Sequence, residues 1–196
     1  NAMTNFVPVT NLAANKAIVI DTTAPTVTNV SSDKANGSYT VGEVIDIDVT
    51  FSEAVTSTGN VTVTLETGDT DRTCTFTVTA ATSGTCNYTV QASDISGDLT
   101  VSSISGTIAD GSSNAMSNFV PVTNLAANKA LVIDTVTPTV QISSADVISG
   151  GSIRSISVPF VVTFSESVVD FDASDISVVN GTAANLQVVT ANSVFS

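Results

Sequence analysis

The sequence predicts an all-β protein made of tandem antiparallel β-sandwiches, one complete domain followed by a truncated second. Three observations predict it. Residues 1–27 return at 114–140, identical at 23 of 27 positions with an offset of 113, and so long a period marks whole domains rather than the roughly 20–50-residue units of a solenoid. Thr, Val, Ser and Ala dominate the composition, and Thr and Val suit pleated, half-buried strands. Apolar and polar residues alternate along short segments separated by turn residues, the period of a strand with one buried face.

The repeat sets the boundaries. Residues 1–20 are read as the closing strand of a preceding repeat, 21–134 as a complete sandwich, and 135–196 as the front part of a second one. The offset of 113 persists where identity fades, with VTFSEAV at 49–55 matching VTFSESV at 162–168. The chain therefore reads as a slice of a longer array. Its first 20 residues either hang free or complete another copy's unfinished sheet by strand addition; otherwise the chain is expected to be monomeric.

The elements follow in order. A first strand is expected at Thr26–Ser31. In Glu43–Phe51, Ile45, Ile47, Val49 and Phe51 share one face, opposite Asp46, Asp48 and Thr50. Val61, Val63 and Leu65 alternate with Thr62 and Thr64. Cys74, Phe76 and Val78 then alternate with Thr, and Cys86, Tyr88 and Val90 follow a turn expected at Ala81–Gly84. Leu99–Ser105 and Lys129–Asp134 complete about seven strands in roughly 110 residues, the pattern of an immunoglobulin-like antiparallel sandwich. The second repeat starts the same way at Val140 and Ile142, continues through Ile156, Val158, Phe160, Val162 and Phe164, then Ile176 and Val178, then Leu186 and Val188. Pro159 inside its second strand points to an edge or a bulge. The joints DTTAPT at 21–26 and DTVTPT at 134–139 are short, and proline restricts both itself and its predecessor, so neighbouring domains are expected to stand end to end as a stiff rod.

Eighteen acidic residues face five basic ones, for a net charge of −13. Such a surface repels nucleic acid and anionic membrane; it suits divalent cations, or is simply a solvated acidic surface. No apolar run approaches the roughly 20 residues of a membrane span, and no signal peptide stands out. Without histidine, Ser-His-Asp and Cys-His catalysis are excluded. Acids at loop tips beside Ser, Thr and Gly, with little aromatic surface to stack a sugar, argue against glycoside hydrolysis. The chain is not read as an enzyme, and no small-molecule substrate is expected. Its aromatic residues fall on core-facing positions, with Tyr39 the main exposed exception.

Cys74 and Cys86 lie equally far from a hairpin centred on position 80. In a regular hairpin they stand opposite one another, with Cβ atoms about 4.5–5.5 Å apart, near enough for a disulfide after slight adjustment. The other reading is two buried free thiols. Zinc is excluded, since no histidine and no further cysteine accompany them.

The remaining acids gather where strands end: Asp21, Asp33, Glu53, Asp94, Asp98, Asp110 and Asp134, then Glu166, Asp170, Asp172 and Asp175. Calcium takes six to eight oxygen ligands in irregular geometry, so loop tips serve it well. Two loops at one end of a sandwich can bring Glu53 and Asp110 together. Solvated loop carboxylates are the alternative.

With these residues a resemblance emerges. DTTAPTV at 21–27, YTVGE at 39–43, VTFSEAV at 49–55, LETG at 65–68, YTVQ at 88–91 and GTIAD at 106–110 resemble bacterial immunoglobulin-like, cadherin-like repeats of large secreted RTX-type surface adhesins. TFSESV at 163–168 and FDASDI at 171–176 resemble a related bacterial immunoglobulin-like subfamily. The resemblance implies a structural extender: a calcium-stiffened rod on the bacterial cell surface that projects a distal binding domain for cell adhesion or biofilm formation, its partners being neighbouring repeats of the same chain. Carried over residue by residue, it implies Ca2+ ligands at Asp21 and Asp134, at Glu53 and Glu166, at Asp94 and at Asp110. The chain departs from the family in reading Ser93-Asp94 where Gly-Asp is usual and Gly111-Ser112-Ser113-Asn114 where Ala-Gly-Asn usually follows the acid, and in carrying cysteines, which many such adhesins lack. The alternative is an accessory spacer or carbohydrate-binding module of a large secreted enzyme.

Overall fold

The computed structural model describes Val7, residues 9–152, Arg154 and residues 157–196. The chain divides into two units, Asn1–Thr135 and Val136–Ser196. Asn1–Phe6, Pro8 and Ile156, all included in the strands expected from sequence, lie outside the described residues.

In the first unit a single helical turn, α1 (Leu12–Asn15), precedes strands β1 (Val27–Ser31), β2 (Gly37–Tyr39), β3 (Val44–Ser57), β4 (Val61–Glu66), β5 (Arg72–Phe76), β6 (Ala81–Thr89), β7 (Ile95–Ser96), β8 (Thr100–Ser105) and β9 (Ile108–Asp110); a second turn, α2 (Leu125–Asn128), leads to β10 (Leu131–Asp134). One sheet has the order β1-β3-β6, with β9 also on β3; a second has the order β5-β4-β8. A small third sheet places β10 between β2, which it meets in parallel, and β7, which it meets antiparallel. The architecture is an all-β, immunoglobulin-like sandwich.

The period-two pattern explains the core. Ile45, Ile47, Val49 and Phe51 of β3 are buried together with Val61, Val63 and Leu65 of β4, while Asp46, Asp48 and Thr50 are only half-buried on the other face of β3. β3 and β4 each have one apolar face, and two such faces closing on each other remove both from water.

Two expectations about the cysteine region are corrected. Cys74 and Cys86 are joined by a disulfide, but they are not opposite each other in a hairpin. Cys74 pairs in register with Val63 of β4, and Cys86 with Ile47 of β3. Residues 77–80 carry the chain from one sheet to the other, so the bond ties the two layers across the core, with Cα atoms 5.6 Å apart. Nor do Ala81–Gly84 form a turn: they open β6 and pair with β3. Gly84 reads as a turn residue in the sequence, yet its role is contact. A Cβ there would collide with the ring of Phe76, which covers the glycine from the other layer.

The longest strand is also irregular. β3 pairs with β6 from Val44↔Thr89 to Thr50↔Ser83, then resumes at Val55↔Ala81. The residues between bulge out, and beyond them Val55–Ser57 pair with β9. Such bulges redirect side chains at the rim of a sheet, and Glu53 lies in this one.

The described part of the leading segment holds α1 and no strand, against the closing strand expected for 1–20. The cause is context. LVID at 131–134 becomes β10 because β2 and β7 flank it; the near-identical Ile18–Asp21 has no ladder partner among the described residues, and isolated β propensity does not hold a strand.

In the second unit, β11 (Val140–Ser143), β12 (Val161–Phe164), a 3-10 turn at Ala173–Asp175, β13 (Val188–Thr190) and β14 (Val194–Phe195) give one sheet of order β11-β12-β14-β13. Val162 and Phe195 are buried, and the rings of Phe164, Phe171 and Phe195 meet edge to face at 4.9–6.0 Å. Pro159 stands outside the strand, which begins two residues later; its carbonyl accepts from the Ser144 hydroxyl at 2.7 Å. The strand expected through Val158 and Phe160 is shortened because proline offers no N–H to a ladder. No strand forms at Ile176 and Val178. The Asp172–Asp175 capping box closes the 3-10 turn just before them: Asp172 accepts from the Ser174 N–H at 2.7 Å and donates its own N–H to Asp175 at 3.0 Å.

Candidate metal centre

Three of the expected ligands converge at the end of the first unit where the chain comes in. Asp21, Glu53 and Asp110 each offer a carboxylate oxygen, all within 4.8 Å of one another. Asp21 sits in the segment leading to β1, its oxygen accepting from the Thr23 N–H at 3.0 Å. Glu53 projects from the β3 bulge. Its neighbour Ser52 is bonded to the incoming chain twice, Ser52 N–H to the Thr26 carbonyl at 2.9 Å and Thr26 N–H to the Ser52 hydroxyl at 3.0 Å. Asp110 closes β9, where it pairs with Val55 just past the bulge.

A tight turn fixes Asp110. One carboxylate oxygen accepts from the N–H groups of Ser112 and Asn114, both at 2.8 Å, and the other from the Asn114 side-chain amide at 2.7 Å. The same amide nitrogen donates to the Asp21 carbonyl at 3.2 Å, tying the turn to the incoming segment. Burial pushes the Asp110 carboxyl upward, but these bonds outweigh it and hold the group below the ordinary carboxylate range. Glu53 is in the opposite state. Burial, then the charges of Asp110 and Asp21, raise its pKa above the usual 4.5, and no hydrogen-bond donor among the described residues reaches its carboxylate. The site thus has two carboxylates with local support and a third that their charge destabilises. The Arg72–Asp94 pair is the one salt bridge found among the described residues, and it lies elsewhere. A hard divalent cation fits that donor set: all oxygen, strongly negative and unneutralised by protein.

Asp94 does not join this group. It follows β6 at the opposite end of the sandwich, buried, with one oxygen 2.7 Å from Arg72 Nε and the other accepting from the Tyr88 hydroxyl at 2.6 Å and the Gln91 N–H at 2.9 Å. Burial pushes its pKa up, but the bonds from Tyr88, Gln91 and Arg72 win and lower it. Burial, with the Asp94 bond and charge, raises the Tyr88 hydroxyl. Asp94 is a structural acid here, its oxygens already occupied. Asp134 lies at the same end, pairing with Ile95, and Thr135 donates to the Asp94 carbonyl at 2.8 Å.

Glu166 belongs to the second unit and repeats the local setting of Glu53. Its neighbour Ser165 donates to the Thr139 carbonyl at 2.9 Å and accepts from the Thr139 N–H at 2.9 Å. Its Oε1 is buried with no hydrogen-bond partner among the described residues.

Two features escape a reading of spacing. Asn114, which binds both Asp110 and the Asp21 carbonyl, is signalled only by a polar side chain four residues beyond an acid at a strand end. A second acidic group, Asp33, Asp46 and Asp48, is legible once strands pair: Asp46 and Asp48 share the outer face of β3, and β1 ends beside them. Its oxygens accept from Ser32, from the Asp33 N–H and from the Thr85 hydroxyl.

Neither a curated protein nor a solved structure gives a significant match to the chain. One family does match a part of it: residues 134–196 are similar to the bacterial Ig-like domain.

Proposed function

We propose that the chain is a structural extender of a bacterial surface adhesin, in which calcium held by Asp21, Glu53 and Asp110 stiffens the joint between successive repeats and the array holds a distal binding domain away from the cell. The observation that carries this reading is the position of the acids. One comes from the joint, one from the bulge bonded to the joint, and one from the turn whose Asn114 also grips the joint. A cation there would tie the incoming segment to the body of the domain, while water and nearby carbonyls fill its remaining positions.

The repeat supports the same reading. The joint recurs with four of its six residues unchanged, DTTAPT at 21–26 and DTVTPT at 134–139, and Thr139 and Ser165 restate the Thr26–Ser52 bonds. A site used once has no reason to recur; a mechanical joint does. An extracellular, cell-surface setting accords with both the family similarity of residues 134–196 and the disulfide. The test is calorimetric titration of calcium into the chain and into Glu53→Gln. A binding heat that the substitution abolishes supports the reading, and an unchanged heat places the ion elsewhere.

A further inference from the structure

We propose that the first unit carries a shear clamp, a load-bearing device made by the segment that opens it, 27–39, and the segment that closes it, 122–134. The two lie side by side, run in the same direction, and are bonded so that tension along the chain loads their bonds together. The inference rests on the extender reading only for the source of the tension; the bonding belongs to the first unit itself.

The contact begins at β1. Val122 N–H donates to the Val27 carbonyl at 3.2 Å, Thr123 N–H to the Thr28 carbonyl at 3.1 Å, and Val30 N–H to the Thr123 carbonyl at 2.9 Å, around a parallel bridge between Asn29 and Thr123. It finishes in the parallel ladder of β2 and β10, from Gly37↔Leu131 to Tyr39↔Ile133. Between these stretches β1 has ended and the closing segment makes the turn α2, so neither backbone continues the ladder. Side chains take over there. The Asn128 amide donates to the Val30 carbonyl at 2.7 Å and to the Asn29 side-chain oxygen at 2.8 Å, and the Lys129 ammonium donates to the Lys34 carbonyl at 2.9 Å. The Asn36 side chain then accepts from Ala130 N–H at 3.1 Å, and Gly37 N–H donates to the Ala130 carbonyl at 3.1 Å. The two segments are thus tied along their whole shared length.

Each segment is also rooted in a different layer. Val27 and Val30 are fully buried, on a strand paired with β3. Leu125 and Leu131 are fully buried too; the Leu131 carbonyl accepts from Leu99 N–H at 2.8 Å, and the Asn124 side chain holds both backbone groups of Val101 in β8, at 3.2 and 2.9 Å. The chain enters the opening segment at the end that holds Asp21 and Glu53, and leaves the closing segment at the end that holds Asp94. Because the segments are parallel, tension drags them in opposite senses along the line of contact. Ladder bonds lie across the strands, so sliding strains all of them at once, whereas peeling from one end breaks them singly. Resistance to force follows the unfolding rate under load, and this pairing sits directly between the points where load enters and leaves.

The test is constant-force spectroscopy of the whole chain in chelator, with the disulfide intact. In one geometry the handles are on the two ends of the chain. In the other, one handle is an azide-bearing residue at Val41, 52% exposed in the turn after β2, and the second is on the C-terminal end. That second geometry pulls β2 and β10 apart from their common end, pair by pair. The first unit is the larger of the two and is read from the larger length step. At equal force it should survive longer when pulled from both ends than when peeled from Val41. An Asn36→Ala, Asn128→Ala variant, which leaves both backbone ladders in place, should shorten the end-to-end lifetime about tenfold, the rate equivalent of one or two net hydrogen bonds. An end-to-end lifetime no longer than the peeled one, or one unmoved by the two substitutions, would overturn the proposal. No calcium is present in these runs, so their failure leaves the calcium reading untouched, and a calcium titration without heat leaves the clamp standing.

Discussion

Thr26 and Ser52 hold each other through two hydrogen bonds, one in each direction, and Thr139 and Ser165 do the same 113 residues later. The bonds fasten the incoming chain to the strand just before Glu53 in one unit and just before Glu166 in the other. An acid beside a fastened joint is thus a repeated feature of this chain. The physical consequence is positional: wherever the joint goes, the acid goes with it.

Calcium affinity should fall with acid. Glu53 has a raised pKa in the folded, metal-free protein, so its charged form is disfavoured there and any stability from its protonation is lost as pH rises through that pKa. A cation reverses the preference and expels the proton. Titrations from neutral pH down toward the carboxylate range, in buffers of different ionisation enthalpy, should show weakening affinity and proton release. Affinity independent of pH across that window would remove Glu53 from the site.

Asp94→Ala should destabilise the first unit by about 3 kcal/mol, because it strands Arg72 and the buried Tyr88 hydroxyl without a partner. Urea unfolding at neutral pH reads this directly. In the unsubstituted protein the stability held by the lowered pKa of Asp94 is present above its unfolded-state value and lost as pH falls through the folded one. The variant's stability should therefore depend less on pH on the acid side. Calcium binding should be unchanged in it.

Replacing both cysteines with alanine should cost about 3 kcal/mol on the chain-entropy account, given the short loop closed by residues separated by 12. The bond ties two layers that already pack together, so the variant should keep its far-UV spectrum while its Tm falls. A Tm unchanged by reductant would show that packing alone holds the layers.

Gly84→Ala should cost about 1–3 kcal/mol by overpacking against Phe76. Adding Phe76→Leu should recover part of the loss, and this double-variant cycle separates ring contact from backbone preference. Additive effects would contradict the contact.

Much of the fold is legible in the residues. Ile45, Ile47, Val49 and Phe51 announce their face by period alone, because burying one side of a strand leaves no other pattern. What eludes sequence is set by non-local partners. Cys74 and Cys86 look like hairpin neighbours, and only the crossing at 77–80 reveals that each belongs to a different sheet. Gly84 looks like a turn until the Phe76 ring is placed over it. LVID becomes a strand at 131–134 while its near-copy at 18–21 does not, the difference being a partner and not a residue. The site divides the same way. Loop topology puts Glu53 and Asp110 at one end, and Asp21 follows from the repeat. The commitment of Asp94 to Arg72 and Tyr88, and the bridging role of Asn114, depend on contacts between residues far apart in the chain or around a turn.

Calcium bound by Asp21, Glu53 and Asp110 is what the proposed joint depends on. The most direct measurement is thermal unfolding of the chain in saturating calcium against chelator, beside Glu53→Gln. Calcium should raise the Tm of the first unit by roughly 5–10 °C at a hundredfold excess over Kd, and the substitution should remove the rise. Identical melting curves in calcium and chelator would contradict it.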